Sequence, residues 1–265
     1  MRSAPGRARR DEILTTAALA CTAGLGLLAQ LALAAWIGPG TRLDLFFRVT
    51  AVPLAFVGIG VTAFSASVIP RLAAMREAGT GPSPRSELLA GGLLLALAIA
   101  LGGGLLTIAL AAFVNTEADP IPTSLVLLAW TACVGGLAAQ LLGAFHNAEG
   151  RFVLPAASGA IFPVALILAA VLGRASAPAS LAAAYAAAGL GQAAVLALFV
   201  RRGLFTAGSF GKGRERAGEL AAAALLPVAA TLLSTMFAVS DAFWAARLPP
   251  AGLSHLNLAV RITVP

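Results

Sequence analysis

Long apolar segments alternate with short polar ones along almost the whole of this 265-residue chain. The hydrocarbon core of a bilayer is about 30 Å thick and a helix rises about 1.5 Å per residue, so about 20 apolar residues make one crossing. Seven segments have this length, at residues 13–37, 45–69, 88–114, 123–145, 155–173, 181–200 and 220–246. An eighth begins near Leu256 and meets the end of the sequence. The pattern predicts an all-α, polytopic membrane protein.

Basic residues are concentrated in alternate gaps between these segments. Thirteen lie in the N-terminal tail and the second, fourth and sixth gaps: Arg2, Arg7, Arg9, Arg10, Arg71, Arg76, Arg85, Arg151, Arg201, Arg202, Lys212, Arg214 and Arg216. The other gaps hold only Arg42, Arg174 and Arg247, and Arg48 lies just inside the second segment. Because short cytoplasmic loops carry the excess of Lys and Arg, we expect an inner-membrane protein with a cytoplasmic N-terminus.

The composition agrees with a membrane protein, since 59% of the residues are hydrophobic and 11% charged, against about a quarter charged in soluble domains. The polar gaps at 70–87 and 201–219 are rich in Gly, Pro and Ser, which predicts flexible connections. The net charge of +7 could suggest nucleic acid. Membrane topology alone accounts for basic residues spread over several loops, so we expect no nucleic-acid partner.

The sequence lacks the motifs of soluble enzymes. Lys212 is followed by Gly213 and not by the Ser or Thr of a phosphate-binding loop. His146 and His255 are expected in loops, far apart in sequence and without a partner at metal-ligand spacing. The two cysteines lie inside apolar segments, where a thiol behaves as a small hydrophobe. We therefore expect neither an enzyme, nor a metal site, nor a bound cofactor.

A short motif occurs twice, as RVTAVP at 48–53 and RITVP at 261–265. Each copy opens a helix that follows a short loop containing Gly and Pro. Six helices separate the copies, so the halves would be parallel repeats about an axis along the membrane normal, although a chance match is the alternative. The repeat predicts a basic tail at 1–11, a six-helix lobe at 12–202, a cytoplasmic linker at 203–218 and an incomplete second lobe at 219–265. Such a chain would be a fragment or would need a partner.

Three segments carry a family resemblance. They are GPGTRLDLFF at 38–47, GAFHNAEGRF at 143–152 with Pro155, and a third set made of Asp241, LPPAG at 248–252, Leu256, Asn257 and Arg261. In order and spacing these segments cover most of the chain. The chain resembles the lipid II flippases of the MurJ (MviN) type, within the superfamily of multidrug and oligosaccharide-lipid exporters.

This resemblance implies a lobed bundle around an inward-opening, cationic cavity. Such a protein carries an undecaprenyl-pyrophosphate-linked sugar across the bacterial inner membrane by alternating access, for peptidoglycan or another envelope glycan. Arginine suits the anionic head group, because its guanidinium binds phosphate through two parallel hydrogen bonds. The implied partners are this lipid-linked sugar, membrane lipids and envelope-synthesis proteins, and coupling to the membrane potential or to a cation stays open.

The chain departs from the family pattern at its charged positions. Ala29 and Gln30 stand where the family has an Arg–acid pair on the first helix, and Val57 stands at an essential Arg of the second helix. Val260 and Val264 replace the acids that flank Arg261. The reduced number of basic residues favours a diverged relative that moves another lipid-linked glycan, or a member that no longer transports.

Five residues are candidates for substrate binding: Arg48, Arg261, Asp241, Asp44 and Gln30. Arg48 and Arg261 either reach the outer interface with their long side chains or face a cavity. Asp241 could pair with either Arg, couple to a cation, or pair with Arg247. Asp44 is expected to cap the second helix.

Gln30, Gln140 and Gln192 are polar groups within apolar segments and should face other helices and not lipid. Hydrogen bonding between helices is their expected role.

Two alternatives to a flippase remain. A cation-coupled multidrug exporter of the same superfamily would require acids deep in the lobes, and among the acidic residues Asp241 alone lies within an apolar segment. A non-transporting membrane scaffold for envelope synthesis is favoured by the lost cations and disfavoured by the retained hairpin motifs.

Overall fold

The computed structural model describes residues 5–79, 81–114, 121–173, 177–200, 209–245 and 251–263. Within these ranges the chain is helical and contains no strand. The helices are α1 (Pro5–Ala32), α2 (Thr41–Glu77), α3 (Pro82–Val114), α4 (Thr123–Ala148), α5 (Val153–Ser158), α6 (Ile161–Leu172), α7 (Ala179–Leu198), α8 (Ser209–Ala245) and α9 (Gly252–Thr263). A π-helical turn, Leu33–Ile37, extends α1.

Seven crossings are long and apolar enough to span a bilayer, which confirms the predicted all-α, multi-pass membrane protein. Single helices make six of them, and α5 with α6 makes the fifth in chain order. Large apolar side chains point away from the bundle; Leu226 and Leu172 are each 81% exposed. Because lipid replaces water around such surfaces, this exposure marks the lipid-facing side.

A proline explains why the fifth crossing is divided. Pro163 lies near the start of α6 and, having no N–H, cannot donate to the carbonyl of Gly159 four residues earlier. Its ring would also clash with that carbonyl in a continuous helix. The chain accordingly turns at Gly159 and Ala160, between α5 and α6.

Helix α4 lies at the centre of the lobe, between α2 and α7. Its contact with α7 is made by glycines: a Cβ on Gly135 would lie 2.3 Å from the carbonyl carbon of Gly189, and one on Gly189 would lie 2.6 Å from the Ala132 carbonyl oxygen. The two backbones therefore touch, as small residues allow in membranes.

The turn after α4 is bound to the end of α7. His146 is buried near the end of α4, with its Nε2 3.0 Å from the Leu196 carbonyl oxygen. Arg151 donates to the Phe199 carbonyl oxygen at 3.2 Å. The loop prediction for both histidines was wrong, since His255 lies within α9. Local sequence did not indicate that His146 would be buried beside the end of α7.

The first turns of α8 pack against α2 and α3. Ser209 donates to the Ser86 hydroxyl at 2.8 Å, and Lys212 lies 3.6 Å from the Glu87 carboxylate. Arg71 donates to the Glu219 carbonyl oxygen at 3.2 Å. The prediction of a flexible connection is therefore wrong from Ser209 onward. The prediction is also wrong for most of the gap at 70–87, which is largely helical. Contacts between helices stabilise this segment despite its Gly and Pro residues.

Candidate functional site

A cavity of about 310 Å³ lies inside the lobe. Residues of α1, α2, α4, α6 and α7 line it, together with the turn between α5 and α6. Thr50 of the lining lies nine residues beyond the start of α2, which is about 14 Å along the helix axis. Because Thr50 belongs to the apolar segment at 45–69, the cavity lies at the depth of the membrane-spanning helices.

The polar lining of the cavity is uncharged. The sixteen described residues that line it include no acid and no base, and three of them are glutamines: Gln30, Gln140 and Gln192. Gln192 donates from Nε2 to the Ser158 hydroxyl at 3.2 Å. Gln30 is only 5% exposed, and its Oε1 has no hydrogen-bond partner among the described residues. Burying an amide oxygen without a hydrogen-bond donor costs free energy, so the Gln30 Oε1 is available to accept a hydrogen bond from a ligand.

Aromatic rings form one wall of the same cavity. Tyr185 of α7 meets Phe162 with ring centroids 5.0 Å apart and Phe46 with centroids 6.3 Å apart, both edge to face. All three residues line the cavity. Edge-to-face pairs hold rings in defined orientations, so the cavity combines an ordered apolar wall with hydrogen-bonding amides.

Asp44 has a different role from the one expected. It lies in the first turn of α2 with its carboxylate buried, and it accepts hydrogen bonds from the backbone N–H groups of Ala251, at 2.8 Å, and Ser254, at 2.7 Å. The Ser254 hydroxyl also donates to it. The prediction that Asp44 caps α2 was wrong: Gly40 precedes that helix without a side-chain cap, and Asp44 caps α9.

This capping joins the two hairpin turns that carry the repeated motif. Negative charge at a helix N-terminus is favourable, because the first N–H groups lack partners and carry the positive end of the helix dipole. Ala251, just before α9, has φ of 78°, a region that side chains other than Gly rarely adopt. Its bond to Asp44 holds that conformation. Sequence spacing could not indicate this contact, since Asp44 and Ser254 are 210 residues apart.

The five candidate residues do not come together in one site. Gln30 lines the cavity and Asp44 caps α9. The Arg48 side chain is half-buried on α2 and is not part of the cavity lining. The structure does not describe the side chains of Asp241 and Arg261. Their substrate-binding roles, like that of Arg48, stay predictions.

The cavity instead brings together three of the positions that were predicted to depart from the family pattern. Ala29, Gln30 and Val57 all line it. Sequence reasoning noted each change but could not place them together, and it missed the aromatic wall. Ring contacts between α2, α6 and α7 have no signature in local sequence.

Comparison with known proteins gives two findings. The sequence profile of a protein family described as "Lipid II flippase MurJ" matches residues 33–264. A solved structure described as "Lipid II flippase MurJ, inward closed conformation" superposes with a TM-score of 0.72 at 14% sequence identity, over 95% of this chain and 54% of that one. The chain thus spans about half the length of that structure, and at this identity the likeness concerns the fold. No curated protein sequence matches the chain.

Proposed function

Because the chain belongs to the lipid II flippase MurJ family, we propose that it takes part in moving a lipid-linked sugar across the bilayer by alternating access. The described helices would supply one lobe of the transport path. The undecaprenyl-pyrophosphate carrier of an envelope glycan is the substrate class that the family suggests. Transport alone requires no enzymatic step and no cofactor.

The observation that carries this proposal is the contact between Asp44 and the start of α9. It joins the first lobe to the beginning of what would be the second lobe, at one end of the bundle. Alternating access needs contacts that hold one end shut and can break to open it. The hydrogen bonds of a buried carboxylate with three donors are strong enough to hold the two turns together. These bonds lie only at the helix ends, so the contact can break without disrupting the helices.

We further propose the orientation and the setting. The basic gaps would face the cytoplasm, which places the N-terminus inside, the contact of Asp44 with α9 at the outer side, and the protein in a bacterial inner membrane. Coupling would come from the membrane potential or from a cation, with Asp241 as the candidate ligand. Membrane lipids and proteins of envelope synthesis would be its partners.

The proposal is tested by reconstituting the protein, expressed from its whole gene, into vesicles with a fluorescent polyprenyl-pyrophosphate sugar. We expect protein-dependent flipping, measured as loss of label accessibility at the outer face. Replacing Arg48 or Arg261 by Ala should lower the initial rate by about tenfold or more, because hydrogen bonds to a charged group are worth about 1.5–3 kcal/mol.

Arg42→Ala is the matched control, since Arg42 is exposed on the first turn of the same helix as Arg48. It should leave the rate unchanged. Unchanged flipping in the Arg48 and Arg261 variants would remove both residues from the mechanism, and no flipping by the wild-type protein would refute transport.

A non-transporting scaffold is the second candidate, and the uncharged cavity favours it. With Ala29, Gln30 and Val57 in its lining, the described part of the cavity has no cation that would attract a pyrophosphate. In that case the protein would retain its fold and its membrane partners while the vesicle assay showed no flipping.

A further inference from the structure

We propose that the cavity binds an uncharged sugar residue of the lipid-linked substrate, through the side-chain amides of Gln30, Gln140 and Gln192, and does not hold the pyrophosphate. This inference rests on the proposed transport function and assigns a part of the substrate to a place in the lobe. It differs from the cationic cavity that the family resemblance implies.

The described lining offers no positive charge to the anionic group. Burying a phosphate among these neutral side chains would carry a large desolvation penalty, because none of the described lining residues is a cation that would offset it. A hydroxylated, uncharged group carries no such penalty if each hydroxyl finds a partner. The lining therefore disfavours the charged pyrophosphate and favours an uncharged polar group.

The hydrogen-bonding groups match a sugar. Each glutamine amide offers two donors and a carbonyl acceptor, and each sugar hydroxyl both donates and accepts. The Gln30 Oε1 is buried and lacks a donor among the described residues, so a ligand hydroxyl or N–H would satisfy it. Gln192 is held in place by Ser158, which itself donates to the Pro155 carbonyl oxygen at 2.8 Å. These amides surround the space from α1, α4 and α7.

The aromatic wall and the size of the cavity agree with this assignment. Sugars present apolar C–H faces beside their hydroxyls, and Tyr185, Phe162 and Phe46 offer rings in fixed orientations. A volume of about 310 Å³ lies at the lower end of small-molecule cavities, which begin near about 300 Å³. The space fits one monosaccharide residue and not an extended glycan, so the rest of the head group would lie outside it.

The test compares two probes on the whole protein in detergent: a polyprenyl pyrophosphate that carries one N-acetylhexosamine, and the same pyrophosphate without sugar. The dissociation constant of each is measured by isothermal titration, and their ratio reports recognition of the sugar. We expect the wild-type protein to prefer the sugar-bearing probe. Gln30→Leu and Gln140→Leu should each reduce that preference by about five- to tenfold, as expected for a lost buried hydrogen bond.

Leu31→Ala is the control, because Leu31 follows Gln30 on α1 but is 48% exposed towards lipid. It should leave the affinities for both probes unchanged. If the glutamine variants bind both probes as the wild type does, or lose affinity for both equally, the sugar assignment is overturned. Because the two glutamines lie on different helices, Gln140→Leu decides the matter if Gln30→Leu does not fold.

The failure of this inference is distinguishable from the failure of the proposed function. A wild-type protein that flips the sugar-bearing lipid but shows no preference for it over the sugarless one refutes the sugar subsite alone. A wild-type protein that binds and flips neither probe refutes transport and the subsite together.

Discussion

At the scale of single residues, Asp44 shows how a buried charge is stabilised in this lobe. A carboxylate in a largely apolar environment is costly unless donors surround it, and Asp44 has two backbone N–H groups and one hydroxyl. The donors come from the start of α9, whose first N–H groups have no partner inside their own helix. Each side therefore satisfies the other, and the contact fixes how α9 meets α2.

Replacing Asp44 by Ala should loosen the start of α9. We expect faster hydrogen exchange at the amides of Ala251 and Ser254 and a loss of about 1–2 kcal/mol of stability, as for a removed helix cap. Hydrogen-exchange mass spectrometry in detergent measures the first effect and denaturant unfolding the second. Arg42→Ala, an exposed change two residues earlier, should alter neither. Exchange that is unchanged in the Asp44 variant would contradict the capping role.

At the scale of helices, the crossing of α4 and α7 depends on the absence of side chains. The contact between Gly135 and Gly189 brings the backbones closer than any Cβ would permit. Van der Waals contact of this kind holds helices together in lipid, where burial of apolar surface gives little net gain. The two helices that this contact holds together also supply Gln140 and Gln192 to the cavity lining.

Gly135→Ala should separate α4 from α7. A Cβ at this position would lie 2.3 Å from the Gly189 backbone, which cannot move aside as a side chain could. We expect a loss of about 1–3 kcal/mol, typical of overpacking, measured by thermal unfolding in detergent. Gly58→Ala is the control, because nothing lies within 4 Å of a Cβ there. Equal stability of the two variants would show that the close approach is not required.

At the scale of the whole molecule, the uneven distribution of basic residues is the basis for predicting how the bundle is oriented in the membrane. Arg71, Lys212 and Arg216 lie at the end of the bundle where α8 packs on α2 and α3, and each contacts a carboxylate or carbonyl there. Arg42 and Asp44 lie at the start of α2, seven turns or more from that cluster along a helix of 37 residues. The end where α8 packs on α2 and α3 thus holds more of these basic residues, and the positive-inside rule predicts that this end faces the cytoplasm.

A topology reporter tests the orientation. A periplasm-specific reporter such as alkaline phosphatase, fused at Ala118, should be active, because the gap that contains this residue is predicted to lie outside. The same reporter fused at Thr80 should be inactive, since the gap at 70–87 is predicted to face the cytoplasm. Activity at Thr80 and not at Ala118 would reverse the orientation and, with it, the side on which Asp44 meets α9.

Some properties of this protein follow from its sequence alone. Apolar segments of the right length leave the chain no alternative to membrane-spanning helices, because each backbone polar group must be paired within lipid. The number of crossings follows from the lengths of these segments. The family resemblance was likewise visible in short motifs such as GPGTRLDLFF at 38–47.

The tertiary structure decided which polar groups meet. Asp44 caps a helix that begins over 200 residues later, and Ala29, Gln30 and Val57 lie together around one uncharged cavity. The segment from Ser209 is helical because α2 and α3 provide partners for its side chains. None of these could be inferred from spacing, since contacts between distant segments depend on how helices cross. Local sequence determines which residues each helix can bury, and the packing of the helices determines which residues of other helices they contact.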